Sequence, residues 1–251
     1  MLTHERKAHL LATLKRDGRI VAKAESQALG LSEDTIRRDL RELAAEGLLQ
    51  RVHGGALPAS PALADFADRQ QVAGAGKAAI GRAAAAMIRP GQVVFVDGGT
   101  TAVQLARSLP LDLKATIITH SPSVAVELVN KPAVEVELIG GRLFKHSVVA
   151  VGASAIEAIG RIQADLYFMG VTGVHPEIGL TTGDAEEAAV KRALSRQAAE
   201  TVVMASAEKL GAASPFVVTT LAEIDMVIVE PGLPPEVTAP FERLGVTLAP
   251  A

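Results

Sequence analysis

The side chains best suited to contacting a polyanion fall in one short segment near the start of the chain. Seven of them can donate hydrogen bonds or carry positive charge: Ser32, Thr35, Arg37, Arg38, Arg41, Arg51 and His53. Guanidinium groups bind phosphate oxygens and the edges of bases, and hydroxyl and imidazole groups add further hydrogen bonds. This cluster of arginine, hydroxyl and imidazole side chains indicates a surface that binds a nucleic acid.

An amphipathic helix is predicted to position the arginines. Ile36, Leu40 and Leu43 recur at helical spacing, which places the arginines on the opposite face. A serine N-cap precedes the helix and Gly47 ends it. Apolar and polar residues then interleave through residues 48–53 before two glycines, as expected for a two-stranded hairpin. This order is typical of a recognition helix followed by a wing.

Two more helices are predicted upstream of this one. The first is closed by Asp17 and Gly18, and the second runs from Val21 to Leu29 and stops at Gly30. Three helices and a hairpin make a winged helix-turn-helix over residues 1–57. The alternative, a solvated arginine-bearing helix without a ligand, explains the helix but not the complete arrangement.

Polar residues in the rest of the chain cluster where predicted strands end. Alanine-rich helices alternate with β-branched runs at 93–96, 116–118, 134–139, 166–169, 201–205 and 226–229, which predicts a mostly parallel sheet flanked by helices. The carboxyl ends of such strands line the ligand crevice. The candidate ligand-contacting residues there are Asp97, Gly98, Gly99, Thr100, Thr101, Thr119, His120, Ser121, Gly140, Gly141 and Gly170.

The segment from Asp97 to Thr101 carries the strongest chemical signal of these. Glycine N–H groups, two hydroxyls and a helix N-terminus together form an anion cradle, for which phosphate is the natural ligand. A tight turn with threonine capping is the alternative. For His120, a ligand contact and local hydrogen bonding fit equally well. Further candidates, open to the alternative of ordinary solvated charges, are Asp184, Glu187, Lys191 and Lys209.

Composition limits the remaining possibilities. The chain of 251 residues has no cysteine, which excludes disulfides and thiolate metal sites, and no run of 18 apolar residues, so we expect a cytoplasmic protein without membrane contact. Residues 1–56 hold ten basic against eight acidic residues, and the remainder 15 against 20. Because one head of +2 makes few phosphate contacts, we expect a homo-oligomer, a dimer or tetramer, on paired half-sites.

The motifs resemble a known family. The head resembles the DNA-binding domain of DeoR-type bacterial transcription regulators through Thr35–Leu40 and Arg51–Ala56. The rest of the chain resembles that family's effector domain through six motifs in the same order: VDGGTT, THS, LIGG, FMGVTG, GLTTGDAEEAAVKR and EKLG. The resemblance implies an α/β protein: a winged helix-turn-helix, a linker at 58–75 docked through Phe66 and Arg69, and a larger α/β domain at 76–251 resembling ribose-5-phosphate isomerase.

The same resemblance implies a repressor of a sugar or polyol operon that binds double-stranded operator DNA and a phosphorylated sugar, without cofactor or metal. Gly98, Gly99, Thr100 and Thr101 would hold the phosphate. Asp184, Glu187, Lys191 and Lys209 would surround the hydroxyl end. Two alternatives stay open: a sugar-phosphate isomerase-like enzyme fused to a DNA-binding head, and a nucleic-acid-binding scaffold whose C-terminal domain only oligomerises. The isomerases carry a carboxylate pair where this chain has Met169–Thr172, which disfavours catalysis.

Overall fold

The structure is a computed structural model, and it describes residues 1–60, 66 and 72–251. The N-terminal part, called the head below, is a winged helix-turn-helix as predicted. Its elements are α1 (Thr3–Asp17), β1 (Ile20–Val21), α2 (Ala22–Leu29), α3 (Glu33–Ala45), β2 (Leu49–Val52) and β3 (Gly55–Pro58). The three strands form a small antiparallel sheet in which β3 is central.

The head is held together by one apolar cluster and one buried ion pair. Leu10, Ile36 and Leu40 pack together at the centre of the cluster. Beside it, the guanidinium of Arg6 on α1 forms a bidentate pair with the buried carboxylate of Asp39 on α3, with Nη2 3.0 Å from Oδ1. The pair fixes α1 across the inner face of α3, so it orients the helix whose outer face carries the arginines.

The C-terminal part, called the body below, is an α/β domain. Its helices are α4 (Gly74–Met87), α5 (Thr100–Ser108), α6 (Pro122–Leu128), α7 (Ala153–Ile159), α8 (Ala185–Arg196) and α9 (Pro235–Glu242). Its strands are β4 (Val93–Val96), β5 (Thr116–Thr119), β6 (Glu135–Leu138), β7 (Arg142–Phe144), β8 (Val149–Val151), β9 (Ala164–Gly170), β10 (Gly173–His175), β11 (Gly179–Thr182), β12 (Ala198–Ala205), β13 (Phe216–Thr219), β14 (Met226–Val229) and β15 (Leu248–Pro250).

Seven strands form one parallel sheet in the order β15-β14-β12-β9-β4-β5-β6. Side chains of successive strand residues point to opposite faces of the sheet. Val94 and Val96 pack on the face covered by α4, α5 and α6, whereas Phe95 packs on the face covered by α7 and α8. All six predicted β-branched runs lie in this sheet. The sequence pattern did not predict the β7–β8 hairpin, the small β10-β11-β13 sheet or the last strand, whose strands are only three or four residues long.

Most of the predicted linker, including Arg69, lies outside the described residues. Phe66, which is described, is half-buried against the sheet face that carries α4, α5 and α6. In α2, a carboxylate oxygen of Glu25 accepts a hydrogen bond from His9 Nε2 at 2.9 Å, so a polar contact joins α2 to α1. Within the described parts of the chain, no helix is long and apolar enough to cross a bilayer.

The Arg6–Asp39 pair generates a stability prediction. Replacing Arg6 with Ala leaves a buried carboxylate unpaired, so we expect the head to lose about 3 kcal/mol, the lower part of the range for broken buried pairs. Amide hydrogen exchange along α3 should accelerate about 100-fold wherever exchange requires unfolding of the head. Lys7→Ala, which breaks exposed pairs to Glu42 and Glu46, is the matched control and should change exchange far less. Equal exchange in both variants would contradict the structural role of the pair.

Candidate functional site

The predicted DNA-contacting residues lie on α3 and the adjoining hairpin. Helix α3 begins at Glu33 because the hydroxyl of Ser32 accepts a hydrogen bond from the Thr35 backbone N–H at 3.2 Å. Arg37 is exposed and pairs with Glu33 one turn earlier, at 2.6 Å. Arg38 and Arg41 are also exposed. Helix α3 therefore presents arginine side chains to solvent while its opposite face is buried in the head.

The hairpin between β2 and β3 forms the wing. Arg51 lies within β2 and His53 lies at the turn, and both are exposed. Gly54 occupies the left-handed region with φ of 79°, a conformation that favours glycine at this tight turn. The wing thus adds a second set of polar side chains beside the helix.

In the body, a partly open cavity lies at the carboxyl ends of the central strands. It contains eight of the predicted effector-binding residues, namely Gly98, Gly99, Thr100, Thr101, Gly170, Glu187, Lys191 and Lys209. These residues come from four separate parts of the sequence: the β4–α5 junction, the end of β9, helix α8 and a short 3₁₀ turn after β12. Parallel strand order brings them together, because β4, β9 and β12 are neighbours.

The β4–α5 junction forms one wall of the cavity. Gly99, with φ of 102°, adopts a conformation disfavoured for other residues and leads directly into α5. The first backbone N–H groups of a helix lack partners within the helix, and its dipole favours an anion there. The Thr101 hydroxyl is buried and has no hydrogen-bond partner among the described residues. This wall therefore offers donors to a ligand oxygen.

Below the cavity, the buried carboxylate of Asp97 collects hydrogen bonds from the surrounding elements. Its Oδ2 accepts from Lys191 Nζ at 2.6 Å, from the Gly170 N–H at 2.8 Å and from the Tyr167 hydroxyl at 3.0 Å. Its Oδ1 accepts from the Gly98 N–H at 2.7 Å and contacts His120 Nε2 at 2.8 Å. This carboxylate ties β4, β5, β9 and α8 together beneath the cavity.

The charges around Asp97 balance one another. Burial acts to raise the pKa of Asp97, but the Lys191 ammonium and the His120 hydrogen bond outweigh it, and the pKa lies well below its usual range. Burial acts to lower the pKa of Lys191, but Asp97 and Glu187 outweigh it, and that pKa is raised. Burial beside Asp97 raises the pKa of Tyr167. The carboxylate and the ammonium are therefore both ionised at neutral pH.

Seven predicted effector-binding residues do not line the cavity: Asp97, Thr119, His120, Ser121, Gly140, Gly141 and Asp184. The His120 ring is fully buried, with Nδ1 2.8 Å from the Ala150 carbonyl oxygen. Asp184 caps α8 by accepting from the Glu186 and Glu187 N–H groups. The side chains of Asp97, His120 and Asp184 therefore form hydrogen bonds with other protein groups and do not line the cavity.

Several cavity residues escaped the sequence-based prediction, and Lys77 is the most notable. It lies in the first turn of α4, is 4% exposed, and donates to the Val72 carbonyl oxygen at 2.6 Å. Lys77 lies on the same face of the helix as the buried Ile80 and Ala84. A lysine on an otherwise apolar helix face is the sequence feature that could have predicted its burial. Other unpredicted lining residues are Ser147, Thr172, Thr182 and Glu208.

Glu187 and Lys191 are buried, although their i,i+4 spacing is also compatible with an ordinary ion pair on the helix surface. Glu187 is 5% exposed and accepts a hydrogen bond from the Thr182 hydroxyl at 2.6 Å, and its other oxygen lies 3.4 Å from Lys191 Nζ. Both side chains form part of the cavity rather than the solvated surface. Among the described residues, no group of three or more His, Cys, Asp or Glu side chains could hold a metal ion.

Comparison with known proteins agrees with the two-part architecture. Residues 6–61 match the sequence model of the DeoR-like helix-turn-helix domain, and residues 73–231 match that of the DeoR C terminal sensor domain. The HTH-type transcriptional regulator GlpR of Haloferax volcanii is 38% identical over 99% of this chain and 98% of its own length. The glycerol-3-phosphate regulon repressor of Escherichia coli strain K12 is 28% identical, over 91% of this chain and 90% of its own.

Among solved structures, ribose 5-phosphate isomerase A from Methanocaldococcus jannaschii is similar at 16% identity and a TM-score of 0.39, covering 53% of this chain and 52% of its own. The sequence matches extend over both the head and the sensor domain. The chain therefore belongs to the DeoR family of transcriptional regulators.

Proposed function

We propose that this protein is a homo-oligomeric, cytoplasmic repressor that binds operator DNA through α3 and the wing, and is released when a phosphorylated sugar or polyol enters the body's cavity. The observation that carries the proposal is the buried Thr101 hydroxyl, which has no hydrogen-bond partner in the part of the chain that the structure describes and lies at a helix N-terminus in a cavity with buried lysines. A phosphate group in the cavity accepts a hydrogen bond from that hydroxyl and further hydrogen bonds from the N–H groups at the helix N-terminus.

The head is the part of the proposed repressor that binds DNA. Arg38 and Arg41 are exposed, and Arg37 is exposed and pairs with Glu33. A recognition helix inserts such side chains into the major groove, while the wing residues Arg51 and His53 reach the adjoining backbone. Since a single head carries a net charge of only +2, stable binding calls for two heads on paired half-sites.

The cavity supplies the effector-binding part. Lys77 and Lys209 are buried in its lining and bring positive charge to the cavity, which favours an anionic ligand. Glu187 and Glu208 offer carboxylate oxygens that accept hydrogen bonds from sugar or polyol hydroxyls. One end of the cavity thus suits a phosphate and the other a hydroxylated carbon chain. A relative named for the glycerol-3-phosphate regulon supports the same ligand class.

The positions of the carboxylates favour binding over catalysis. An aldose–ketose isomerase needs a base beside the bound carbonyl, usually near a second acid. In the described lining, Glu187 is engaged by Thr182 and Lys191, and the Glu208 carboxylate accepts from the Ser206 hydroxyl at 2.6 Å. We therefore infer a sensor without enzymatic activity.

The arginines of α3 give a direct prediction for DNA binding. A duplex selected from a random pool by the wild-type protein should bind the Arg38→Ala/Arg41→Ala variant at least roughly 30-fold more weakly. If both side chains contact phosphates, the slope of log affinity against log salt should also fall by about two. Arg16→Ala, which removes an exposed arginine from α1, is the matched control. Fluorescence anisotropy across a salt series measures both quantities, and unchanged affinity in the double variant would refute the α3 interface.

The Thr101 hydroxyl gives a prediction for the effector. Thr101→Val keeps the shape of the side chain and removes a donor that has no partner among the described residues, so the free protein should be as stable as wild type or slightly more so. Binding of phosphorylated sugars or polyols should weaken about tenfold, as expected for loss of a hydrogen bond to a charged group. Calorimetric titration of the compounds that shift the thermal midpoint of the wild type measures this loss.

A matched control exists in the head. The Thr13 hydroxyl is likewise buried without a hydrogen-bond partner among the described residues, but it lies far from the cavity in sequence and packs in α1. Thr13→Val should leave effector binding unchanged. Equal weakening in both variants, or in neither, would count against the proposed phosphate position.

A further inference from the structure

A short segment connects the head to the wall of the cavity. We call residues 58–60 the strap; it begins at the last residue of β3. The carbonyl oxygen of Pro58 accepts from the Ala213 N–H at 3.4 Å, and Ala59 forms a parallel bridge with Ala213. The hydroxyl of Ser60, which is 3% exposed, donates to the Thr172 carbonyl oxygen. The strap is therefore attached to the body at three consecutive positions.

The groups that receive the strap are parts of the cavity wall. Thr172 lines the cavity directly, and its hydroxyl lies 2.7 Å from the Ser214 hydroxyl. Ser214 follows Ala213 in the chain, and Lys209, another lining residue, begins the same loop. The Ala212 N–H donates to the Lys209 carbonyl oxygen at 3.4 Å. Any displacement of this wall consequently acts on the strap.

On the other side, the strap continues the central strand of the head. β3 lies between β1 and β2, and its Ala56 and Leu57 are buried. Because β3 is paired on both edges and packed into the apolar cluster, it moves with the rest of the head rather than independently. A shift of the strap therefore reorients α3 and the wing together.

The size of the cavity supplies the reason for movement. Between the described walls it has a free volume of about 30 Å³, space for about two water molecules. A sugar or polyol phosphate exceeds this free volume, so we expect its binding to displace part of the lining. The β4–α5 wall is held by the five contacts to Asp97. The wall formed by Thr172 and residues 207–214 is the side attached to the strap.

We propose that the strap transmits effector binding to the head: ligand entry displaces the wall at Thr172 and residues 207–214, loosens the strap, and turns the head out of its DNA-binding orientation. The inference rests on the proposed effector site and adds the route by which that site acts. A ligand can shift such an equilibrium only by binding one arrangement better than the other, and the displaced wall is what distinguishes the two arrangements.

Hydrogen exchange with glycerol 3-phosphate as the probe tests the route. Exchange at residues 100–103 should slow, reporting the ligand at the α5 N-terminus, while exchange at residues 56–60 and 213–214 should accelerate at least about fivefold. Slowing at 100–103 with unchanged exchange in the strap would overturn the inference and leave the proposed site standing. Unchanged exchange at 100–103 would contradict the proposed site, and the transmission route with it.

A cross-link provides a second, independent test. The chain has no cysteine, and Ala59 and Ala213 are bridge partners, so an Ala59→Cys/Ala213→Cys variant can form a single disulfide that fixes the strap to the wall. In the oxidised form, glycerol 3-phosphate should bind at least about fivefold more weakly than in the reduced form, and affinity for the selected duplex should be retained. Equal binding of the probe in both forms would overturn the inference.

Two controls separate the strap from other effects. Ala59→Cys alone should respond to neither oxidant nor reductant. Arg19→Ala removes the exposed ion pair from Arg19 to Glu177, a different contact between head and body at 3.2 Å that does not involve the cavity wall. That variant should keep the exchange response of the strap. Loss of the response in Arg19→Ala would place the transmission in the ion pair instead and contradict the strap's role.

Discussion

Asp97 is the constraint on which the body's site depends. An isolated carboxylate without solvent exposure is strongly unfavourable, and this one is stabilised because a lysine, a histidine, a tyrosine and two backbone N–H groups converge on it. Satisfying one buried charge thus fixes the relative positions of β4, β5, β9 and α8. The N-terminus of α5 is held rigidly by this arrangement, which is what a preorganised anion site requires.

The same arrangement explains how charge is divided in the cavity. Lys191 is neutralised by Asp97 and Glu187, so it contributes more to the framework than to attraction of a ligand. Lys77 and Lys209 lie at the cavity edge, next to the α5 N-terminus and the 3₁₀ turn respectively. The head shows the same separation of roles: Arg6 is committed to Asp39 in the interior, whereas Arg38 and Arg41 face solvent.

Periodicity predicted the elements well and the roles of side chains less well. The α3 stripe of Ile36, Leu40 and Leu43 and the six β-branched runs specify the recognition helix and the parallel sheet, because burial of apolar faces dominates both. Asp97 and His120 followed strands as ligand residues do, yet they face inward, since strand position alone does not decide on which side of the turn a side chain points. Lys77 was missed because it lies in an alanine-rich helix rather than at the end of a strand, and most of the other lining residues come from distant parts of the chain.

In the proposed repressor, the cavity is the site at which a phosphorylated compound controls DNA binding. The most direct test titrates the complex of wild-type protein and a selected DNA duplex with sugar and polyol phosphates, their unphosphorylated parents and inorganic phosphate, and follows release of the duplex by anisotropy. Release by a phosphorylated compound, absent with its parent and shifted about tenfold to higher concentration in Thr101→Val, is the predicted result. Release by the unphosphorylated parent at the same concentration, or no release by any of these compounds, would contradict the account.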